Sequence, residues 1–155
     1  KTRAAISALC LVEIKKHTEK LLKKSPYRSG TWAPTSELSG AVAQTQENVR
    51  VALDELGVFH SFKDSDGNPT GEKLTAVRPR SFLLIGNLSE FETEHGVNEA
   101  RYRSFEDFRR NQHQPEVLTF DELYERARFI VEAGEEDEKQ EKPPGASTDQ
   151  YWVPF

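Results

Sequence analysis

Residues 9–17 read LCLVEIKKH: a short apolar run, an acid, one isoleucine, and then two lysines and a histidine. The run belongs to a longer stretch, residues 4–15, in which Ile, Leu and Val dominate. A short, nearly continuous apolar segment of this kind predicts a central strand covered on both faces. Side chains alternate along a strand, so Leu11, Glu13 and Lys15 point one way and Val12 and Ile14 the other. The acid and the lysine therefore share a face at the end of a strand whose neighbours are too apolar for a solvent surface, which places the pair at a cleft. On an ordinary surface strand the same Glu-x-Lys spacing is a solvated ion pair, and the spacing alone does not separate the two readings.

Outward from this strand the pattern alternates. Residues 16–35 (KHTEKLLKKSPYRSGTWAPT) lack sustained periodicity and contain two prolines and a glycine, which predicts a long functional loop with one helical turn at most. A helix follows, with Ser36 as its cap, Leu38, Ala41, Val42, Thr45, Val49, Ala52, Leu53 and Leu56 as its apolar stripe, and Gly57 as its stop. Residues 58–77 have a turn-rich centre between two extended arms, a hairpin or an excursion. SFLLIGN (81–87), introduced by the stiff RPR, is a second buried strand. NEARYRSFEDFRRNQ reads as a helix and EVLTF as a short strand. TFDELYERARFIVEA is a helix opened by a capping box from Thr119 to Glu122, with Phe120, Leu123, Tyr124, Ala127, Ile130 and Val131 along its apolar stripe. Strands separated by helices predict an α/β layered domain over residues 1–134. Residues 135–155 read as an acidic flexible linker ending in the aromatic tail YWVPF.

The chain has 155 residues, 35% hydrophobic and 30% charged, a composition suited to one globular domain with a real core. No stretch approaches the about 18–20 apolar residues that span a bilayer, and no signal-peptide pattern opens the chain. The single cysteine, Cys10, excludes a disulfide framework and a cysteine zinc site, so a cytoplasmic location is expected. With no methionine and a strand at its very start, the sequence reads as a piece of a longer protein. Charge is unevenly spread. Residues 1–34 carry eight Lys or Arg against two acids, a local +6, whereas residues 132–155 carry seven acids against two lysines, a local −5. The basic third, with Lys16, His17, Lys20, Lys23, Lys24 and Arg28, is either a solvated loop or a surface for phosphates.

A carboxylate at a strand end can hold a hard divalent cation, and an ammonium beside it can orient a water or steady a phosphate; cutting a phosphodiester needs both. At 100° per residue, Glu37, Gln44 and Asn48 fall together on one flank of the helix that starts at Ser36. That flank either faces solvent or lies beside the strand end and presents Gln44 to the same cleft. Other candidates are weaker. DSDGN (64–68) begins like a calcium loop, but Thr75 stands where the bidentate Glu belongs, so a plain turn is expected. His60, His95 and His113 have no shared spacing. Arg101, Arg103, Arg109 and Arg110 either meet phosphates or a neighbouring subunit, or pair with Glu99, Glu106 and Asp107 on their own helix.

VEIKKH, YRSGTW and SELSGAVAQ together, followed in order by RPRSFLLIGN, RYRSFEDFRR and VLTFDELYERAR, resemble the Shedu family of antiphage defence nucleases, within the PD-(D/E)XK superfamily. The resemblance covers about residues 1–133. It implies a restriction-endonuclease-like fold, a mixed sheet flanked by helices and missing its first strand or strands here, with metal-dependent DNA cleavage in antiphage immunity. Glu13 matches the metal-binding acid, Lys15 the lysine of the same element, and Gln44 the helix glutamine of related nucleases; Asn48 stands where many relatives carry an aromatic residue. The implied cofactor is Mg2+, with Mn2+ as a substitute. The implied partners are DNA, held by Lys16, His17, Lys20, Lys23, Lys24 and Arg28, and further copies of the chain, with no membrane. The superfamily's second acid has no match before Glu13, so this stretch alone is expected to cut poorly unless Glu37 or Glu19 substitutes. The alternative reading is a non-catalytic DNA-binding or assembly module of a larger defence protein.

Overall fold

In the computed structural model the described residues are 6–141, and the chain divides into two units, Lys1–Glu122 and Leu123–Phe155. The fold is mixed α/β, with a mostly parallel sheet and three helices. Its elements are β1 (Ile6–Ile14), α1 (Ser36–Leu56), β2 (Phe59–Lys63), β3 (Pro69–Leu84), a 3-10 turn (Leu88–Phe91), the two-residue strands β4 (Glu92–Thr93) and β5 (Gly96–Val97), α2 (Glu99–Arg110), β6 (Glu116–Leu118) and α3 (Phe120–Glu141).

β3 is the spine of the sheet. β1 runs parallel along one of its edges; β2 pairs antiparallel with its first half and β6 parallel with its second half on the other. The extended arm after the DSDGN turn and the strand SFLL are thus one strand, where the sequence pattern suggested two. RPR does not start a new strand but lies in a bulge. Between the pairs Ala8↔Thr75 and Cys10↔Arg80, β3 advances further than β1, and Arg78 takes a positive φ of 49° there. Pro79 has no N–H to give a ladder, so a bulge is where a strand can accept it. The DSDGN segment is the expected turn, closed by Asp64 Oδ1 accepting from the N–H groups of Asp66 and Asn68 at 3.0 and 2.8 Å.

α1 begins one residue earlier than expected. Thr35 is the cap, its hydroxyl accepting from Leu38 N–H at 3.1 Å, and Gly57 ends the helix with φ 65° and its N–H on Leu53 O. Leu38, Ala41, Val42 and Thr45 are buried, against β1 and β3. The core adds Leu83 from the spine and Ile85 just past its end, Val117 from β6, Phe105 from α2, Phe91, and, from the long loop, Leu21 and Leu22. Each of these two leucines adds about 1.5–3 kcal/mol of burial, and the loop holds them with turns and isolated bridges, Leu22↔Pro34 and Arg28↔Thr31, without a helical turn.

The expectation that β1 is covered on both faces does not hold. Among the described residues it pairs only with β3, so it is an edge strand, and α1 covers only the face bearing Leu11, Glu13 and Lys15. Val12 and Ile14 on the other face are 56% and 64% exposed, and Cys10 beside them is exposed. An apolar run records what a strand's neighbours could be, not which of them is present.

α3 opens with the expected capping box, Glu122 Oε2 accepting from Thr119 N–H at 3.1 Å and from the Thr119 hydroxyl at 2.9 Å. It continues through Gly134 to Glu141, where the charged Glu- and Lys-rich sequence favours helix. In the second unit Arg128 pairs with Glu125 and Glu132 along this helix. YWVPF lies outside the described residues. No described helix is long and apolar enough to cross a membrane.

Candidate functional site

The end of β1 and the first turns of α1 converge on one ammonium. Lys15 Nζ lies 3.3 Å from Glu13 Oε1, donates to Gln44 Oε1 at 3.0 Å, and stands 3.6 Å from Glu37 Oε1. Strand alternation brings Glu13 and Lys15 to the same face, and the Lys15 N–H continues the ladder past Ile14 by donating to Leu84 O at 2.9 Å. Glu37 and Gln44 are two helical turns apart and so lie on one flank of α1. The flank predicted from angular spacing therefore meets the strand end, with the exception of exposed Asn48. The Glu13 and Lys15 side chains are 20% and 23% exposed and Glu37 is 50% exposed. The cluster is partly desolvated on the strand side and open on the helix side.

Glu37 belongs to the helix flank expected from the angular spacing and is, with Glu19, one of the two candidate substitute acids. Of the two, Glu37 stands at the Lys15 ammonium; Glu19 lies along a polar cleft with His17, Lys20, Asn87 and Glu90. The side-chain oxygens of Glu13, Glu37 and Gln44 all lie within 3.6 Å of the Lys15 ammonium, which occupies the point they share. Among the described residues no group of three His, Cys, Asp or Glu gathers as a ready metal site.

The basic loop does not gather at this point as a whole. Lys16 is exposed, its carbonyl accepting from Gly86 N–H at 3.1 Å. His17 packs edge-on against Phe120 with ring centroids 6.0 Å apart. Lys20, Lys23 and Lys24 instead ring a cavity with Arg101, and Arg28 sits in a tight exposed turn opposite Thr31. What fixes the loop is Glu90, an acid that no local pattern marks. Its carboxylate accepts from Leu21 N–H at 2.7 Å, Leu22 N–H at 3.3 Å and Arg101 Nη2 at 2.8 Å, and its side chain is 7% exposed. The only available hint was an acid capable of meeting the loop's spare N–H groups.

The arginines of α2 are largely structural. Arg109 makes a two-pronged pair with Glu122 at 2.6 and 2.8 Å and contacts Glu106, which also accepts from Arg110 Nε at 2.7 Å. Burial lowers the basicity of Arg109, but hydrogen bonds and charge from Glu122 and Glu106 more than offset this and hold it above its usual range. For Glu122 burial pushes the pKa up, while the hydrogen bonds from Arg109 and Thr119 and the guanidinium charge outweigh it, so the carboxyl sits below its usual range. This network ties α2 to the start of α3, and it leaves Arg109 committed to protein partners.

No curated protein matches the chain. Residues 1–124 match the family model described as Shedu protein SduA, C-terminal, which takes in the Glu13–Lys15 strand, α1, the whole sheet and α2. The chain therefore belongs to the Shedu family, a membership that points to antiphage defence.

Proposed function

We propose that this domain is a metal-dependent DNA endonuclease acting in antiphage defence, of the restriction-endonuclease-like type. The observation that carries the reading is the Lys15 ammonium set between Glu13, Gln44 and Glu37 at the end of β1. Phosphodiester hydrolysis needs a cation-binding carboxylate and a positive group within reach of one another, and here they share a strand face. Glu13 would hold Mg2+ or Mn2+, with Glu37, which shares the Lys15 ammonium, as a further carboxylate; such an ion, when bound, supplies Lewis-acid polarisation of the phosphate and a more acidic water. Lys15 positions the attacking water and balances charge on the phosphate. Gln44, accepting from Lys15, fixes the direction of the ammonium. An in-line attack by water would leave a 5'-phosphate.

DNA is held mainly through its backbone, by Lys16, His17, Lys20, Lys23, Lys24 and Arg28, so affinity falls steeply with salt and little sequence is read directly. The test is calorimetric titration with Mg2+ and Mn2+, with plasmid cleavage in parallel, on residues 1–155 and on a longer chain extended at its N-terminus. Weak metal binding and weak cleavage by 1–155, both raised in the longer chain, support the reading and a further acid upstream. Equal cleavage by the two would make Glu37 the sufficient second carboxylate. Metal-independent DNA binding without any cleavage in the longer chain would favour the non-catalytic module.

A further inference from the structure

We propose that Tyr27 stacks on an unpaired base of the DNA, so that the domain prefers a single-stranded stretch beside the cleavage site to closed duplex. The inference rests on the DNA reading above and adds to it a contact that is not electrostatic. Residues 22–34 form a narrow finger whose arms are joined by the antiparallel bridge Leu22↔Pro34 and by Lys23 N–H donating to Ala33 O at 2.9 Å. Its tip is a turn in which Thr31 N–H donates to Arg28 O at 3.0 Å, with Gly30 at φ +71° in the third position, where a type II turn calls for glycine. Tyr27 N–H donates to Thr31 O at 2.9 Å, which fixes the tyrosine backbone at this tip. The base of the finger is anchored: Leu22 is buried, Trp32 packs against the core, and Trp32 N–H donates to Ser104 Oγ at 3.2 Å.

The ring itself has nothing to pack on. Tyr27 is 82% exposed, and among the described residues its side chain has no hydrogen bond, ring contact or cation partner. An aromatic ring on a fixed backbone loses little freedom when a flat partner covers it. Residues 20–36 contain Lys20, Lys23, Lys24 and Arg28 and no acid, so the ring stands among cations already assigned to phosphates. Single strands are held in this way, phosphates on cations and bases on rings. Stacking one base is worth about 1–3 kcal/mol, or about 5–150-fold in affinity. Prising apart a paired step costs about as much, so the ring gains nothing from closed duplex and its full value from a base already unpaired. The finger also starts and ends at the site. Thr31 is six residues from Glu37, which stands 3.6 Å from the Lys15 ammonium, so the Cα atoms of Thr31 and Glu37 are at most about 20 Å apart. That is less than one turn of duplex, about 34 Å.

The test is fluorescence anisotropy with the complete protein, metal chelated so that nothing is cut, on a single-stranded oligonucleotide of about 16 nucleotides and on the duplex of the same sequence. Tyr27→Ala is expected to weaken the single strand by about 5–150-fold and the duplex by less than about twofold. The slope of log Kd against log salt should stay unchanged in this variant, since no charge is lost. Tyr27→Phe keeps the ring and should bind the single strand within about twofold of the parent. Undiminished single-strand binding by Tyr27→Ala, equal weakening on single strand and duplex, or Tyr27→Phe as weak as Tyr27→Ala would each overturn the proposal and leave the DNA reading standing. A parent protein that binds neither DNA at low salt would overturn both.

Discussion

Gly86→Ala should destabilise the fold more than Gly57→Ala, because a steric clash adds to the cost of a positive φ. The φ values are +63° and +65°, with Gly57 at ψ −174°, so each substitution holds an alanine in strained backbone, at about 1–3 kcal/mol. The surroundings differ. A Cβ on Gly57 meets open space, whereas a Cβ on Gly86 would lie 2.7 Å from Leu21 Cδ2 and 2.8 Å from Glu19 O. Leu21 is fully buried and Glu19 O is backbone, so neither yields cheaply, and forced overpacking costs about 1–3 kcal/mol more. Gly86 is also where the loop is tied to the sheet end, its N–H donating to Lys16 O at 3.1 Å and its carbonyl accepting from Phe120 N–H at 3.1 Å. The expected total is about 2–6 kcal/mol for Gly86→Ala, or a Tm fall of about 5–18 °C for a chain of this size, against about 2–9 °C for Gly57→Ala. Thermal unfolding followed by circular dichroism reads both. Equal falls in the two variants would refute the close approach of Leu21 and with it the packing of the loop beneath Lys16.

Thr35→Ala should cost about 1 kcal/mol or slightly more, since the hydroxyl both caps Leu38 N–H and donates to Lys20 O at 2.7 Å, and Thr35→Ser should restore it in chemical denaturation. Arg109→Ala should cost about 3–5 kcal/mol because it leaves Glu122 charged and without its guanidinium and Glu106 with Arg110 alone, a loss read by urea unfolding. Glu122 is ionised more readily folded than unfolded, so its contribution is fully present above its ordinary value of 4.5 and disappears as pH falls through its lower folded value; Glu122→Gln should flatten that part of the stability-against-pH curve. Lys15→Ala should reduce plasmid cleavage by the complete protein by about 10²–10⁴, and Gln44→Ala, which removes only the partner that aims the ammonium, by about 10–100-fold.

The helix α1 was legible because its apolar residues recur at helical spacing, and the same geometry placed Glu37 and Gln44 on one flank; Lys15 confirms the placement by reaching both. The face shared by Glu13 and Lys15 followed from strand alternation alone. Burial of β1 did not follow, since an apolar run is compatible with an edge strand whose second face, with Val12 and Ile14, is open. Leu21 and Leu22 were hidden among lysines, where two adjacent apolar residues have no periodicity to expose them, and their anchor Glu90 lies far along the chain. Long-range pairing of this kind leaves no local pattern. The unity of β3 was obscured by Pro79, which reads as a break until the bulge that accommodates it is seen.

The most direct measurement is plasmid cleavage by the complete protein with magnesium, comparing the parent with Glu13→Gln and recording Tm for both. Glu13 is a partly exposed side chain at a strand end, so the variant should melt within about 2 °C of the parent, yet give no nicked or linear product. Full cleavage by folded Glu13→Gln would contradict the assignment of the site, and loss of cleavage through unfolding would show that Glu13 holds the fold instead of the metal.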